Sequence, residues 1–235
     1  MLRIRRSGER GHVDHGWLDA HHTFSFADYH DPDFMGFSVL RVLNQDRVGP
    51  GQGFPRHGHR DMEIVTYLLE GELQHKDSMG NGSRILPGEV QLMSAGTGVL
   101  HSEYNASRKH LLHLLQMWVL PAESATKPRY EQKGFPVAER RGRLRLVVSP
   151  DGADGSLTIG QDARLYAGLL DGAERTQLAL APGRVAWIHV GLGKLLANGQ
   201  PLGAGDGAAV VDEKQLVLER GERAELVVWE LPGQA

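Results

Sequence analysis

The chain has 235 residues, 40% of them hydrophobic and 23% charged, with a formal net charge of −3. Length and composition fit one large or two small globular domains, and the charge excludes the basic footprint that nucleic-acid binding needs. With no cysteine, a disulfide framework and a thiolate metal site are excluded, so any metal must sit on His, Asp and Glu.

The first residues, "MLRIRRSGER", carry charge with no apolar stretch behind it, so no secretory signal is expected. Five histidines follow: His12, His15, His21, His22 and His30. His21 and His22 are adjacent and in a strand point to opposite faces, so they cannot both serve one ion; surface or packing roles are expected for them. Phe24 and Phe26 share the face of His22 and are expected to pack on a barrel. Strands are predicted at "FSVLRVL" (37–43), "EIVTYLL" (63–69), "HLLHLLQMWVL" (110–120), "RLRLVVS" (143–149), "RVAWIHVGL" (184–192), "QLVLE" (215–219) and "AELVVWEL" (224–231). Short strands separated by glycine turns predict an all-β sandwich or barrel. The run 111–120 is helical by periodicity, but Pro121 and its Trp-Val ending favour a strand. It is too short to span a bilayer and is broken by His113 and Gln116, so no membrane segment is expected and the compartment is read as cytoplasmic.

The two halves read alike. "VTYLLEGELQH" leads to "LPGEVQLMSAGTG" in the first, and "AWIHVGLGKLLANG" to "LGAGDGAAVV" in the second. The polar, proline-containing stretch 127–143 between them predicts two β-units, 1–135 and 136–235.

Two pairs of candidate ligands stand out. In "RHGHRD" (56–61), His57 and His59 are two residues apart; in "GVLHSEYN" (98–105), so are His101 and Glu103. Residues i and i+2 of a strand share a face. If the two strands face one another, three imidazoles and a carboxylate meet. Such a set suits a transition metal and is typical of non-haem Fe(II) chemistry. Glu63 has the parity of His57 and His59 but lies about 13 Å further along an extended chain, so only a bulge would bring it to the metal. Asp61 reads as a turn or rim residue, His75 as a locally bonded hairpin residue, and Gln116 as a pocket-lining or barrel-edge amide. No Ser-His-Asp elbow, phosphate loop or dinucleotide fingerprint is present.

"GQGFPRHGHRDMEIVTYLLEG" (51–71) and "GTGVLHSEYN" (96–105) resemble the two cupin motifs. More narrowly, residues 21–105, with "HTFSFADY" and "HKDSMGN", and the later "LLQMWVLP" resemble the pirin family. The resemblance is strong over about the first 120 residues and loose beyond them. It implies a bicupin, two face-to-face antiparallel β-barrels, with one metal, usually iron, in the first. It implies His57, His59, His101 and Glu103 as ligands and demotes Glu63 to a supporting role. The second half lacks a His-x-His; its one histidine, His189, reads as a half-buried strand residue, and that barrel is expected to be metal-free. Bacterial relatives imply a quercetin 2,3-dioxygenase activity, with a small aromatic substrate, O2 and Glu103 as base. The alternative is an iron-dependent redox sensor that binds a protein partner; an isomerase or hydrolase on the same site is a third reading. A monomer is expected, because each barrel already covers the other.

Overall fold

The apolar runs between the glycines form strands, Leu40–Val48, Glu63–Glu70, Leu112–Val119, Leu144–Ser149, Arg184–Ala197 and Gln215–Pro232, the first beginning three residues later than the run 37–43. The computed structural model describes residues 2–233. Among these, the one α-helix is the single turn Val137–Arg140, so the protein is nearly all β.

The N-terminal half pairs a seven-stranded sheet with a four-stranded one. The larger runs in the order Arg129–Gly134, Glu89–Ser94, Glu63–Glu70, Leu112–Val119, Leu40–Val48, Leu18–His22, Gly11–Asp14. The smaller runs Gly53–His59, Val99–Asn105, Leu73–Asp77, Gly82–Ile85. Leu18, Val48, Leu68, Leu112 and Leu114 of the first meet Leu73 and Ile85 of the second in one buried cluster, which closes one end of a barrel. The C-terminal half is a nine-stranded sheet built on the long strands Arg184–Ala197 and Gln215–Pro232. Leu170, Ile188, Val190, Leu216, Leu226 and Val228 fill its interior.

The two barrels pack through the outer faces of their large sheets. Leu43, Val65, Tyr67, Leu115 and Met117 of the first half share one core with Val147, Leu165, Trp187, Val227 and Trp229 of the second. This explains why Leu112–Val119 does not alternate. Leu112 and Leu114 fill the barrel while Leu115 and Met117 fill the interface, so both faces are buried. Polar links cross the same interface. Gln45 donates to the Gly191 carbonyl (3.0 Å) and bonds His113 (2.9 Å) and His189 (3.1 Å). His189, expected half-buried, is fully buried because its strand lies against this seam.

Three further features depart from the sequence reading. The division at 135/136 places the start of the chain in the first barrel, yet Leu2–Arg5 pairs with Gly207–Val210 in the second half's sheet. Arg129–Gly134, in the stretch read as a join, pairs with Glu89–Ser94 and forms the edge of the first half's sheet. Phe24 and Phe26 do not share a face. The strand Leu18–His22 ends before them, so Phe24 packs on Trp187 (ring centroids 4.9 Å) while Phe26 stays beside His22 (5.2 Å) and Trp118 (5.3 Å).

Candidate metal centre

Gly53–His59 and Val99–Asn105 are hydrogen-bonded antiparallel neighbours, with His57 directly opposite His101. Alternation turns His57 and His59 inward and leaves Arg56 and Gly58 exposed. On the partner strand it buries Val99, His101, Glu103 and Asn105. The register slips between His101 and Glu103, so that Glu103 pairs with Phe54. The slack falls at Pro55, tolerated because Gly53–His59 is an edge strand. The Pro55 carbonyl accepts the Nδ1–H of His57 at 2.8 Å. Gly53 is needed for the close approach that follows, since a Cβ there would lie 2.2 Å from the Glu103 carbonyl oxygen.

The three imidazoles converge. Ring centroids are 4.8 Å apart for His57–His59, 4.4 Å for His57–His101 and 4.9 Å for His59–His101. One nitrogen from each lies within 4.8 Å of the other two. The Nε2 atoms of His57 and His101 are 3.0 Å apart. Because His57 carries its hydrogen on Nδ1, its Nε2 lone pair points at this gap. Two cis ligands at about 2.1 Å from one octahedral ion are separated by about 3.0 Å. The nitrogen-rich donor set and this spacing therefore fit a divalent transition metal.

Glu103 is buried beside the histidines, and both its oxygens are occupied. Gln91 Nε2 donates to Oε1 (3.1 Å) and Gln116 Nε2 to Oε2 (2.7 Å). Its carboxylate groups with His101 and His75 rather than within the tight set of three. Tyr130 extends the chain by donating to Gln91 Oε1 (3.2 Å). His101 and Glu103 are buried, and His57 and His59 half-buried, so solvent reaches the site at His57 and His59. Half-buried Met62, Met79, Trp118 and Tyr130 pack on Ile64, Met93 and Val99, and the Trp118 ring meets His59 edge-on at 4.8 Å. A surface cavity of about 630 Å³, lined by Phe37, Pro182, Arg184 and Lys214, involves none of these residues.

Burial pushes the His59 imidazole down to about 4, and His101 and His57 push the same way. His101 is pushed to about 3 by burial, then by His57 and His75. Both are neutral near pH 7 and offer lone pairs without losing a proton first.

Residues 3–119 match the family described as Pirin, and residues 146–231 the family described as Quercetinase C-terminal cupin domain. A quercetin 2,3-dioxygenase of Escherichia coli K12 is 47% identical over 232 residues, covering 99% of each chain. The chain belongs to the pirin family. A pirin-like protein of Caulobacter vibrioides is 41% identical over 220 residues, covering 93% of this chain and 94% of its own. The crystal structure of the bacterial pirin YhhW from Escherichia coli in complex with nickel(II) matches with a TM-score of 0.94 at 47% identity, covering 100% of both chains. The bicupin reading of the fold thus holds. Among the described residues, no helix of this pirin is long and apolar enough to cross a membrane.

Glu63 does not support the centre. Its carboxylate accepts from Ser94 Oγ (2.7 Å) and from the Gly160 amide of the second half (3.3 Å). The parity count fails because Asp61 takes φ of 47° between the two strands and resets which face is inward. Asp61 is indeed a turn residue, and its Oδ1 accepts the Ala125 amide (2.6 Å). His75 is bonded locally to Asp77 (3.2 Å), as read, but it is also fully buried with its ring 5.4 Å from His101. Gln91 gave no signal of its own; only the alternation of "EVQLMS" places it on the barrel side.

A pH dependence follows from the buried histidines. His59, His101 and His113, the last pushed to about 4 by burial, stay neutral when folded and would protonate near 6.5 when unfolded. The unfolded chain therefore binds more protons between about pH 6.5 and 4, and metal-free stability falls as pH falls through that window. Asp46, pushed up to about 7 by burial and then by Glu103, opposes this, since it holds a proton that the unfolded chain releases above 3.8. His21, pushed to about 4, and His22 and His189, pushed down by burial, act in the same direction as those three histidines, so with six imidazoles against one carboxyl the urea midpoint of metal-free protein is expected to drop from pH 7 to pH 5. A rise would show that Asp46 dominates.

Proposed function

We propose that this pirin is an iron(II)-dependent dioxygenase of the quercetin 2,3-dioxygenase type, acting on a flavonol or a similar enolic aromatic. His57, His59, His101 and Glu103 would hold the ion. The observation that carries the reading is the pair of facing Nε2 atoms 3.0 Å apart, with Glu103 buried beside them. When bound, iron(II) supplies an electrophilic centre for an oxyanion and the redox chemistry by which dioxygen opens the heterocycle, releasing carbon monoxide and leaving a depside. Three neutral imidazoles and one carboxylate leave a divalent ion at net +1, which favours an anionic oxygen ligand.

The chain's own residues would do the rest. Trp118, edge-on to His59, and the half-buried Met62, Met79 and Tyr130 of the same cluster would offer apolar surface to a flat aromatic substrate. Glu103 takes the proton of the substrate's enolic hydroxyl. Gln116 and Gln91 hold both its oxygens in position, and a reversed Gln116 amide presents a carbonyl to the protonated acid. The second barrel acts as a scaffold, and the monomer is the working unit.

Glu103→Ala is expected to abolish turnover even where some metal stays bound. Gln116→Ala is expected to lower kcat by roughly 10–100-fold with metal retained, since it removes an outer partner. Full activity of Glu103→Ala with iron bound rules out the base role. Iron bound without oxygen uptake on any enolic aromatic favours the other reading, a redox-responsive binder of a protein partner.

A further inference from the structure

The outer face of the first barrel carries a second convergence of metal-binding side chains. Gly11–Asp14 and Leu18–His22 form an antiparallel hairpin at the edge of the seven-stranded sheet, with His12 directly opposite His21. Asp19 lies two residues from His21 on the same face. We infer that His12, Asp19 and His21 form a second site, for a divalent transition metal ion such as zinc, nickel or copper.

The geometry is compact. Asp19 Oδ1 is 2.9 Å from His12 Nε2 and 3.4 Å from His21 Nδ1. The two rings stack with centroids 4.5 Å apart and planes 24° from parallel, so both present nitrogens along one edge. All three donor atoms lie within 4.8 Å of one another. Ligands at about 2.1 Å from a shared ion stand about 3.0–3.4 Å apart, so little movement is needed. Burial, then Arg10, pushes His21 down to about 4, which leaves its lone pair free at neutral pH.

The surroundings select the kind of ion. Arg47 Nη1 lies 3.9 Å from Asp19 Oδ2, the oxygen the cluster does not use, and so orients the carboxylate as an outer partner would. Arg10 and Arg47 repel every divalent cation alike; it is the donor set, imidazole at two of three positions, that disfavours calcium and magnesium. His12 is solvent-exposed and Asp19 half-buried, which leaves the remaining coordination positions to water. The hairpin follows Leu2–Arg5, the strand that crosses to the other barrel, after the short turn Ser7–Glu9. An ion here would clip that edge to the sheet.

The test is equilibrium dialysis of the full chain against zinc(II) or nickel(II) at pH 7.5, with bound metal counted per chain. Wild type is expected to saturate at two ions. His12→Ala, at an exposed position, and Asp19→Asn, at a half-buried one, are each expected to bind one, with the lost ion at least tenfold weaker. His57→Ala combined with His59→Ala is expected to keep the outer ion and to lose it on adding His12→Ala. A single bound ion that survives His12→Ala and Asp19→Asn, or a second ion untouched by either, overturns the proposal. The count is independent of turnover, so it stands or falls apart from the dioxygenase reading.

Discussion

His101→Ala is expected to strip the first barrel of its metal while leaving the fold in place. His101 is buried, and its Nε2 faces that of His57 across 3.0 Å. Its strand lies between Gly53–His59 and Leu73–Asp77 in the four-stranded sheet, so backbone pairing holds its position whatever the side chain. Losing an outer partner of a ligand costs roughly 10–100-fold in metal affinity, and losing the ligand itself is expected to cost more. His101 Nδ1 is already a buried atom without a partner, so the alanine removes an unsatisfied polar group as well as a ring. Bound metal should fall to the level contributed by any outer site, with circular dichroism unchanged and flavonol-dependent oxygen uptake lost. Undiminished affinity in the barrel would move the ion elsewhere.

Trp229→Ala is expected to be the most damaging change remote from the site. Trp229 is fully buried in the core shared by the two barrels, and its Nε1–H donates to Met117 Sδ of the other half at 3.1 Å. Truncating such a tryptophan costs about 3–5 kcal/mol. Because the largest buried cluster joins the barrels rather than filling either one, the loss is expected to move a single transition affecting both halves. Urea unfolding followed by tryptophan fluorescence and by metal release should show coincident midpoints shifted together. Separate transitions, with metal release unmoved, would mean that the halves fold independently.

Much of this centre was legible because a period-two pattern carries over directly into a barrel. His57, His59, His101 and Glu103 needed only strand geometry to be placed on one face, and the structure brings the three histidines together with Glu103 alongside. Glu63 shows the limit of the same rule. One residue at positive φ, Asp61, ends the count; the sequence reads it as a turn or rim residue, but parity alone does not say that such a turn resets the inward face. The apolar run 111–120 was ambiguous because a strand buried on both faces loses its alternation. Long-range pairings left no local trace. The crossing of Leu2–Arg5 to Gly207–Val210, the contact of His189 with Gln45, and the meeting of His12 with His21 all depend on register or on the packing of distant strands. His21 and His22 were rightly separated by alternation, but the cross-strand neighbour of His21 is visible only once the hairpin is formed.

The central claim, that the barrel histidines hold an iron that activates a flavonol toward O2, is tested most directly on protein purified without oxygen. Iron is counted per chain, and oxygen uptake is then followed on adding quercetin. One barrel iron per chain, uptake that depends on quercetin, and loss of both in His57→Ala with His101→Ala are the predicted results. No metal in the barrel under any loading condition, or uptake that survives loss of those histidines, would contradict the account.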